Sequence, residues 1–192
     1  HDVSLYEAGD RVGGHACTVD TVDPQVRPVA VDSGFIVYNE PNYPNFTALL
    51  KHLDVPTVWT DMAFAVSDPK GYEWSSDPLG LFAWKRNALD PRFRKMIGEI
   101  INFNKVARAE LTQDRVPDMS LGDWLDGHGY SQLFREAYLM PMSAAIWSTP
   151  EKMMPDYPVE SFLRFFDNHR LMHAVRPSSR TVKGGSRSYV SK

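Results

Sequence analysis

The sequence predicts a mixed α/β plus α+β chain, in which a glycine-rich β region precedes a β-hairpin and a helical cluster. Three observations predict it. A short apolar run at residues 3–6 ends in Glu7 and passes at once into a loop holding Gly9, Gly13 and Gly14. Runs of β-forming residues then recur as far as residue 76. From Asp90 onward, apolar residues recur at helical spacing behind recognisable caps.

Taken in order, Val3, Ser4, Leu5 and Tyr6 read as a buried strand. Residues 8–28 read as loop, because Gly9, Gly13, Gly14, Pro24 and Pro28 punctuate them. Val29-Ala30-Val31 and Phe35-Ile36-Val37-Tyr38 are strand-like runs split by Asp32, Ser33 and Gly34. Pro44 suits the first turn of a helix whose Phe46, Leu49, Leu50 and Leu53 fall at i, i+3, i+4 and i+7. Ala63-Phe64-Ala65-Val66 and Tyr72-Glu73-Trp74 flank Asp68-Pro69-Lys70-Gly71, which predicts a hairpin with a four-residue loop. Asp90 as N-cap and Pro91 behind it open a long helix with the stripe Phe93, Met96, Ile97, Ile100 and Ile101. Ser120 and Asp123 form a capping box for a short helix ending near Gly127 or Gly129. Ser131 caps a helix reaching about Trp147, with a kink expected at Pro141. Pro158 begins another, with Val159, Phe162, Leu163 and Phe166 on one side. Arg180, Thr181 and Val182 read as a last strand that enters Gly184 and Gly185.

Composition bounds the function. A length of 192 residues suits one domain, or two small ones sharing a core. The formal net charge of −3, with no basic stripe, gives no support for a nucleic-acid or anionic-membrane partner. Cys17 is the only cysteine, which excludes an internal disulfide framework and a Cys-based structural zinc. No apolar stretch reaches the roughly 20 residues of a membrane-spanning helix, no signal-peptide pattern stands at the front, and the expected location is cytoplasmic. The sequence is silent on peripheral membrane contact. Five Trp, ten Phe and eight Met suit either a large aromatic core or a pocket for a flat or greasy ligand, and core packing is the plainer reading.

The opening stretch carries the chemistry. In a dinucleotide-binding βαβ unit, the second strand ends in an acid whose carboxylate accepts hydrogen bonds from the adenosine ribose hydroxyls. Glu7, closing the first run, stands where that acid belongs. Arg11 could then lie against phosphates or adenine, while Gly13 and Gly14 let backbone N–H groups approach a pyrophosphate. The competing reading is a surface turn that merely contains Gly-Asp and Gly-Gly, and these residues alone leave both open. Other candidates are weaker. His169 and His173, four apart, would share a helix face as a metal pair does, but no third ligand is placed, so no metal is expected. No serine occupies a G-x-S-x-G context. Met140, Met142, Met153, Met154 and Trp147 read as core before they read as a cavity wall, Asp167 and Asn168 as helix-surface or pocket-rim groups, and Cys17 as a free thiol.

The segment LYEAGDRVGGHACTV resembles the stretch after the second strand in flavoproteins of the amine oxidase/phytoene desaturase superfamily, with its E-a-x-x-R-x-G-G pattern. VAVDSGFIVYNEPNYPNFTALLKHLDV is similar to that family's D-x-G strand, loop and helix, and RTVKGGSRSYV to its later P-x-G-G-like turn into a helix. LMPMSAAIWSTP and SFLRFFDNH resemble a bacterial subgroup of amine-oxidase-like, NAD/FAD-binding proteins. Where many family members carry Arg or Lys after the glycine pair, this chain has His15.

What the resemblance implies is an FAD-dependent oxidoreductase that passes a hydride from an apolar or amine substrate to flavin, or desaturates it. It places Glu7 on the FAD ribose, Arg11, Gly13, Gly14 and His15 along the pyrophosphate, and Gly34 and Phe35 beside the isoalloxazine. Residues 1–56 would belong to a Rossmann-like FAD-binding domain, residues 57–178 to a substrate domain of hairpin plus helices, and residues 179–192 to a segment returning toward the FAD domain. The aromatic and Met-rich helices lean toward a lipid-like small-molecule substrate; no acid, base or nucleophile is assigned. The alternatives are a non-catalytic FAD- or nucleotide-binding module and an α+β interaction domain with accidental glycine loops.

The family's G-x-G-x-x-G strand and helix, about 25 residues before Glu7's strand in a βαβ unit, and its C-terminal part are not among these residues, so an internal fragment of a longer protein is expected. A second strand without its neighbour cannot stand as the edge of a parallel sheet. Titrating the 192-residue chain with FAD is therefore expected to give weak binding; tight, stoichiometric uptake with a shifted flavin spectrum would contradict the expectation.

Overall fold

Four of the five residues Thr18-Val19-Asp20-Thr21-Val22 are β-branched, and they form a strand, β1 (Thr18–Val22). It pairs antiparallel with β2 (Pro28–Asp32), from Thr18 opposite Asp32 to Val22 opposite Pro28. Density of Gly and Pro hides β1 in the sequence, but Pro28 stands at the first position of a strand, where no ladder donor is needed. Asp23 closes the hairpin by accepting the N–H groups of Gln25 and Arg27, both at 2.9 Å. A computed structural model of the chain describes residues 2–4, 6–67, 71–77, 80–173 and 177–192.

The chain divides into two units, one of His1–Met62 with Pro177–Lys192 and one of Ala63–Arg176. In the first, α1 (Pro44–His52) starts on its proline as expected, and β3 (Thr57–Thr60) pairs antiparallel with β6 (Ser179–Val182). Residues 57–60, expected with the hairpin that follows, are thus tied to the end of the chain. Phe46 organises the small core, meeting Tyr38, Phe35 and Tyr189 edge-on with ring centroids 5.1, 5.3 and 5.4 Å away. Leu50, Val55 and Val182 complete it. Two expected strands do not form. Residues 35–38 make only one isolated bridge, Tyr38 to Arg180. Val3, Ser4 and Tyr6 adopt no strand and lie exposed, because no described segment offers them an edge; Leu5 lies outside the described residues.

In the second unit β4 (Ala65–Ser67) and β5 (Glu73–Ser75) form the expected antiparallel hairpin. Its turn at 68–70 lies outside the described residues. A 3-10 turn (Lys85–Ala88) leads into α2 (Pro91–Thr112), where the Asp90 carboxylate caps the Arg92 N–H at 2.8 Å. Hydrogen bonds from the Arg92 side chain and N–H hold that carboxyl at about 2. The buried face of α2 is Phe93, Met96, Phe103 and Ala107, whereas Ile101, expected in the stripe, is 66% exposed. At about 100° per residue, Ile101 falls more than a quarter turn round the helix from the centre of that face, toward solvent.

After α3 (Leu121–Gly127), capped by Ser120 as expected, one helical run starts at Ser131. It comprises α4 (Gln132–Phe134), a π turn (Arg135–Leu139) and α5 (Met140–Trp147). Pro141 has no N–H to give the Ala137 carbonyl four residues back. The helix widens there, with the Met140 N–H reaching Arg135, and Trp74 Nε1 donates to the freed Ala137 oxygen at 2.9 Å. A second 3-10 segment (Glu151–Asp156) and α6 (Val159–Asn168) finish this unit, and a short α7 (Arg187–Val190) finishes the first.

The core of the second unit is aromatic: Phe103 packs on Trp124, Tyr130, Phe134 and Phe166. Met140, Met142 and Met154 are buried in it, while Met153 faces solvent. Burial and the nearby Glu110 and Glu99 push the Tyr130 hydroxyl up to about 12. The three sheets are two-stranded, and every pair among the described residues is antiparallel. Mixed helix and strand content is compatible with an α/β class. Among the described residues no helix is long and apolar enough to cross a membrane.

Trp74→Phe strands the Ala137 carbonyl, which is expected to cost about 1–3 kcal/mol in urea unfolding. Adding Pro141→Ala supplies the missing helical N–H, so the double variant is expected to lose less than the two single losses summed.

Candidate functional site

Three glycine-bearing segments that lie far apart in the sequence meet in the first unit. The loop after Glu7 turns through Gly13 and Gly14, at φ +108° and +54°, which expose backbone amide groups on a tight curve. A Cβ on Gly14 would meet nothing within 4 Å, so its outer face is open to a ligand. Arg11 ties the loop together, its Nη2 donating to the Gly14 carbonyl at 2.8 Å. Glu7 is exposed at the loop entrance, where its Oε1 accepts the Gly9 N–H at 2.8 Å.

Next to this loop stands Gly34. A side chain there would run into the His15 carbonyl oxygen, so only glycine lets the two segments touch. The third segment closes on the other side. Gly185, at φ +86°, brings its backbone so close that a Cβ would lie 2.5 Å from Thr18 Cγ2 and 3.1 Å from Asp32 Oδ1.

Asp32 joins all of this. Its carboxylate accepts from Thr18 Oγ1 at 2.6 Å, from the Ser186 N–H at 2.9 and 3.0 Å, and from Ser186 Oγ at 2.9 Å. Partial burial pushes the carboxyl up, but the Thr18 and Ser186 hydrogen bonds, with Arg187 nearby, outweigh it and hold the group below its usual range. Arg187 grips Asp20 through two bonds of 2.6 and 2.7 Å, fixing α7 on β1. Thr18, Asp32, Gly185, Ser186 and Arg187 all lie in segments singled out in the sequence, but the sequence alone gives Thr18, Ser186 and Arg187 no role, and Asp20 lies outside those segments. No local spacing relates side chains more than 150 residues apart.

Phe35 packs against Tyr43 and Phe46 just beyond Gly34, half-buried. The expected residues thus fall into one group, Gly13, Gly14, His15, Gly34 and Phe35, with Glu7 and Arg11 on the same loop. A glycine loop open at Gly14, a guanidinium and an exposed carboxylate suit the diphosphate and ribose of a dinucleotide. The donor set fits such a group.

The second unit holds a groove of about 740 Å3 beside α2, floored by Trp74, Tyr138, Leu171 and Met172 and edged by Lys105 and Arg108. The described residues give each unit one buried side-chain polar atom without a partner: Asn42 Nδ2 in the first, and Asn104 Oδ1, at this groove, in the second. His169 and His173 do not share a helix face, because α6 ends at Asn168. His169 Nδ1 contacts the Phe165 carbonyl, and His173 Nε2 donates to Asp167 Oδ1 at 2.9 Å. No group of three His, Cys, Asp or Glu gathers for a metal among the described residues. Cys17 is a half-buried free thiol.

Because its folded value is depressed, the Asp32 carboxylate contributes stability that is fully present above its unfolded value near 4 and lost as pH falls through the folded value. Asp32→Asn is expected to cost about 1–3 kcal/mol at neutral pH and to shrink the acid sensitivity of the first unit. Amide hydrogen exchange at Thr18 and Ser186 measures both; Asp20 and Asp23, also held low by arginines, keep the remainder.

No curated protein matches the chain. A family model described as flavin containing amine oxidoreductase matches residues 1–179, nearly the whole length. The chain therefore belongs to the flavin-containing amine oxidoreductase family.

Proposed function

We propose that the chain is part of a longer FAD-dependent oxidoreductase, in which the first unit contributes to a Rossmann-like FAD-binding domain and the second binds the substrate. The observation that carries this reading is the convergence of the three glycine segments on Asp32, with the His15 carbonyl seated on Gly34. One extended cofactor needs its ribose acid, its diphosphate amides and its ring-side backbone in a single continuous wall. Membership of a flavin-containing family supports the same assignment.

In this reading Glu7 receives the ribose hydroxyls, which are strong bonds because the acceptor is charged. Gly13, Gly14 and the His15 backbone offer amides to the pyrophosphate, and Arg11 holds the loop in that curve through the Gly14 carbonyl. Gly34 and Phe35 stand by the isoalloxazine, where the absence of a Cβ lets backbone approach closely. When bound, the flavin supplies a hydride acceptor, and the chain's own residues place it and exclude water. The substrate is an apolar molecule or an amine, with the aromatic and Met-rich second unit favouring a lipid-like body. The location is cytoplasmic.

The test uses the full-length flavoprotein, reduced anaerobically with amines, acyl lipids and NAD(P)H in turn. Bleaching of the flavin by one donor class is expected and identifies the substrate; no bleaching by any of them would leave a non-catalytic FAD-binding module. Glu7→Gln is expected to weaken FAD retention by about 10- to 100-fold, the worth of a charge-assisted hydrogen bond. Unchanged retention would remove Glu7 from the ribose.

A further inference from the structure

We propose that the groove beside α2 binds an amphipathic anion, with an apolar body of acyl-chain size and one carboxylate head. The inference rests on the second unit being the substrate side, and it does not need the flavin site.

The groove's volume, about 740 Å3, falls in the range of small-molecule sites. Its floor is apolar, formed by Trp74, Leu81, Tyr138, Leu171 and Met172. Trp74 and Tyr138 are held there by the π turn, since the carbonyl that Pro141 frees is the one that fixes the Trp74 indole. π turns of this kind recur at functional sites.

The groove's rim on α2 is polar and positive. Asn104, Arg108 and Thr112 follow one another at four-residue steps, with Lys105 three residues before Arg108, so they border the groove along one side of the helix. No carboxylate lines the groove among the described residues. Arg108 Nε makes a long ion pair of 3.8 Å with Asp167, which is beyond hydrogen-bond distance and accepts from His173 at 2.9 Å. Lys105 has neither a hydrogen bond nor an ion pair among the described residues. Asn104 Oδ1, buried beside them with no donor, is an acceptor and plays no part in holding an anion. Lys105 and the loosely paired Arg108, at one end of an apolar trough, attract a negative head group and repel an ammonium. An amine, the substrate that the family's name suggests, is the wrong charge for this place.

The test is calorimetric titration of the 192-residue chain with decanoate, decanol and decylamine below their micelle thresholds, with the Trp74 indole N–H followed by NMR. Decanoate is expected to bind at least about 10-fold tighter than decylamine and to shift the Trp74 resonance. The exposed pair Lys105→Gln with Arg108→Gln is expected to bring decanoate down to the level of decanol, while circular dichroism stays unchanged. Decylamine binding as tightly as decanoate, no decanoate binding, an unmoved Trp74 signal, or a folded double variant that keeps the preference would each overturn the proposal. Should the double variant unfold, the ranking of the three head groups on the unaltered chain decides.

Discussion

The Asp32 carboxylate is the constraint on which the first unit depends. It sits at the end of β2 and takes hydrogen bonds from the start of β1 and from the backbone and side chain of Ser186, which comes 154 residues later. Without that acceptor, the Ser186 N–H would be a buried donor with nothing to receive it, and Gly185 would lose what holds it against Thr18. The pairing of β3 with β6 brings the end of the chain within reach, and Asp32 fixes where it stops. The glycines on either side are its corollary, because a chain drawn in so tightly leaves no room for side chains at Gly34 and Gly185.

The same wall is what the proposed cofactor site rests on. A dinucleotide is long and carries a different chemistry at each end, so its site must join segments that are separate in the sequence. Here the Asp32 carboxylate ties β1 to the Ser186 turn, and the His15 carbonyl seats the glycine loop against the backbone at Gly34. The second unit solves another problem. Its core is a stack of aromatic rings around Phe103, and the π turn imposed by Pro141 exposes a carbonyl that positions Trp74 over an open groove.

Much of this was legible in the sequence, for reasons that are local. Asp90 before Pro91, Ser120 before Asp123 and Pro44 in a first turn announce helices, because a cap acts on residues next to it. The glycine segments were legible as segments. What they do together was not, since the contacts of Thr18, Asp32 and Ser186 span most of the chain. β1 was masked by the prolines and glycines around it, although its β-branched residues mark it in retrospect. The strand expected at residues 3–6 has the right apolar run but no described neighbour, and apolar character alone does not make a sheet. Ile101 missed the core because it lies on the flank of the face that Phe93, Met96, Phe103 and Ala107 define. Pro141 was readable as an irregularity; its compensation by Trp74 was not.

The most direct measurement of the central idea is an amide chemical-shift map of the 192-residue chain in a large excess of FAD, where even weak binding registers. Shifts concentrated at Gly13, Gly14 and Gly34, spreading to Ser186 through Asp32, are the result that a shared cofactor wall requires. Shifts confined to the second unit, or none at all, would contradict it.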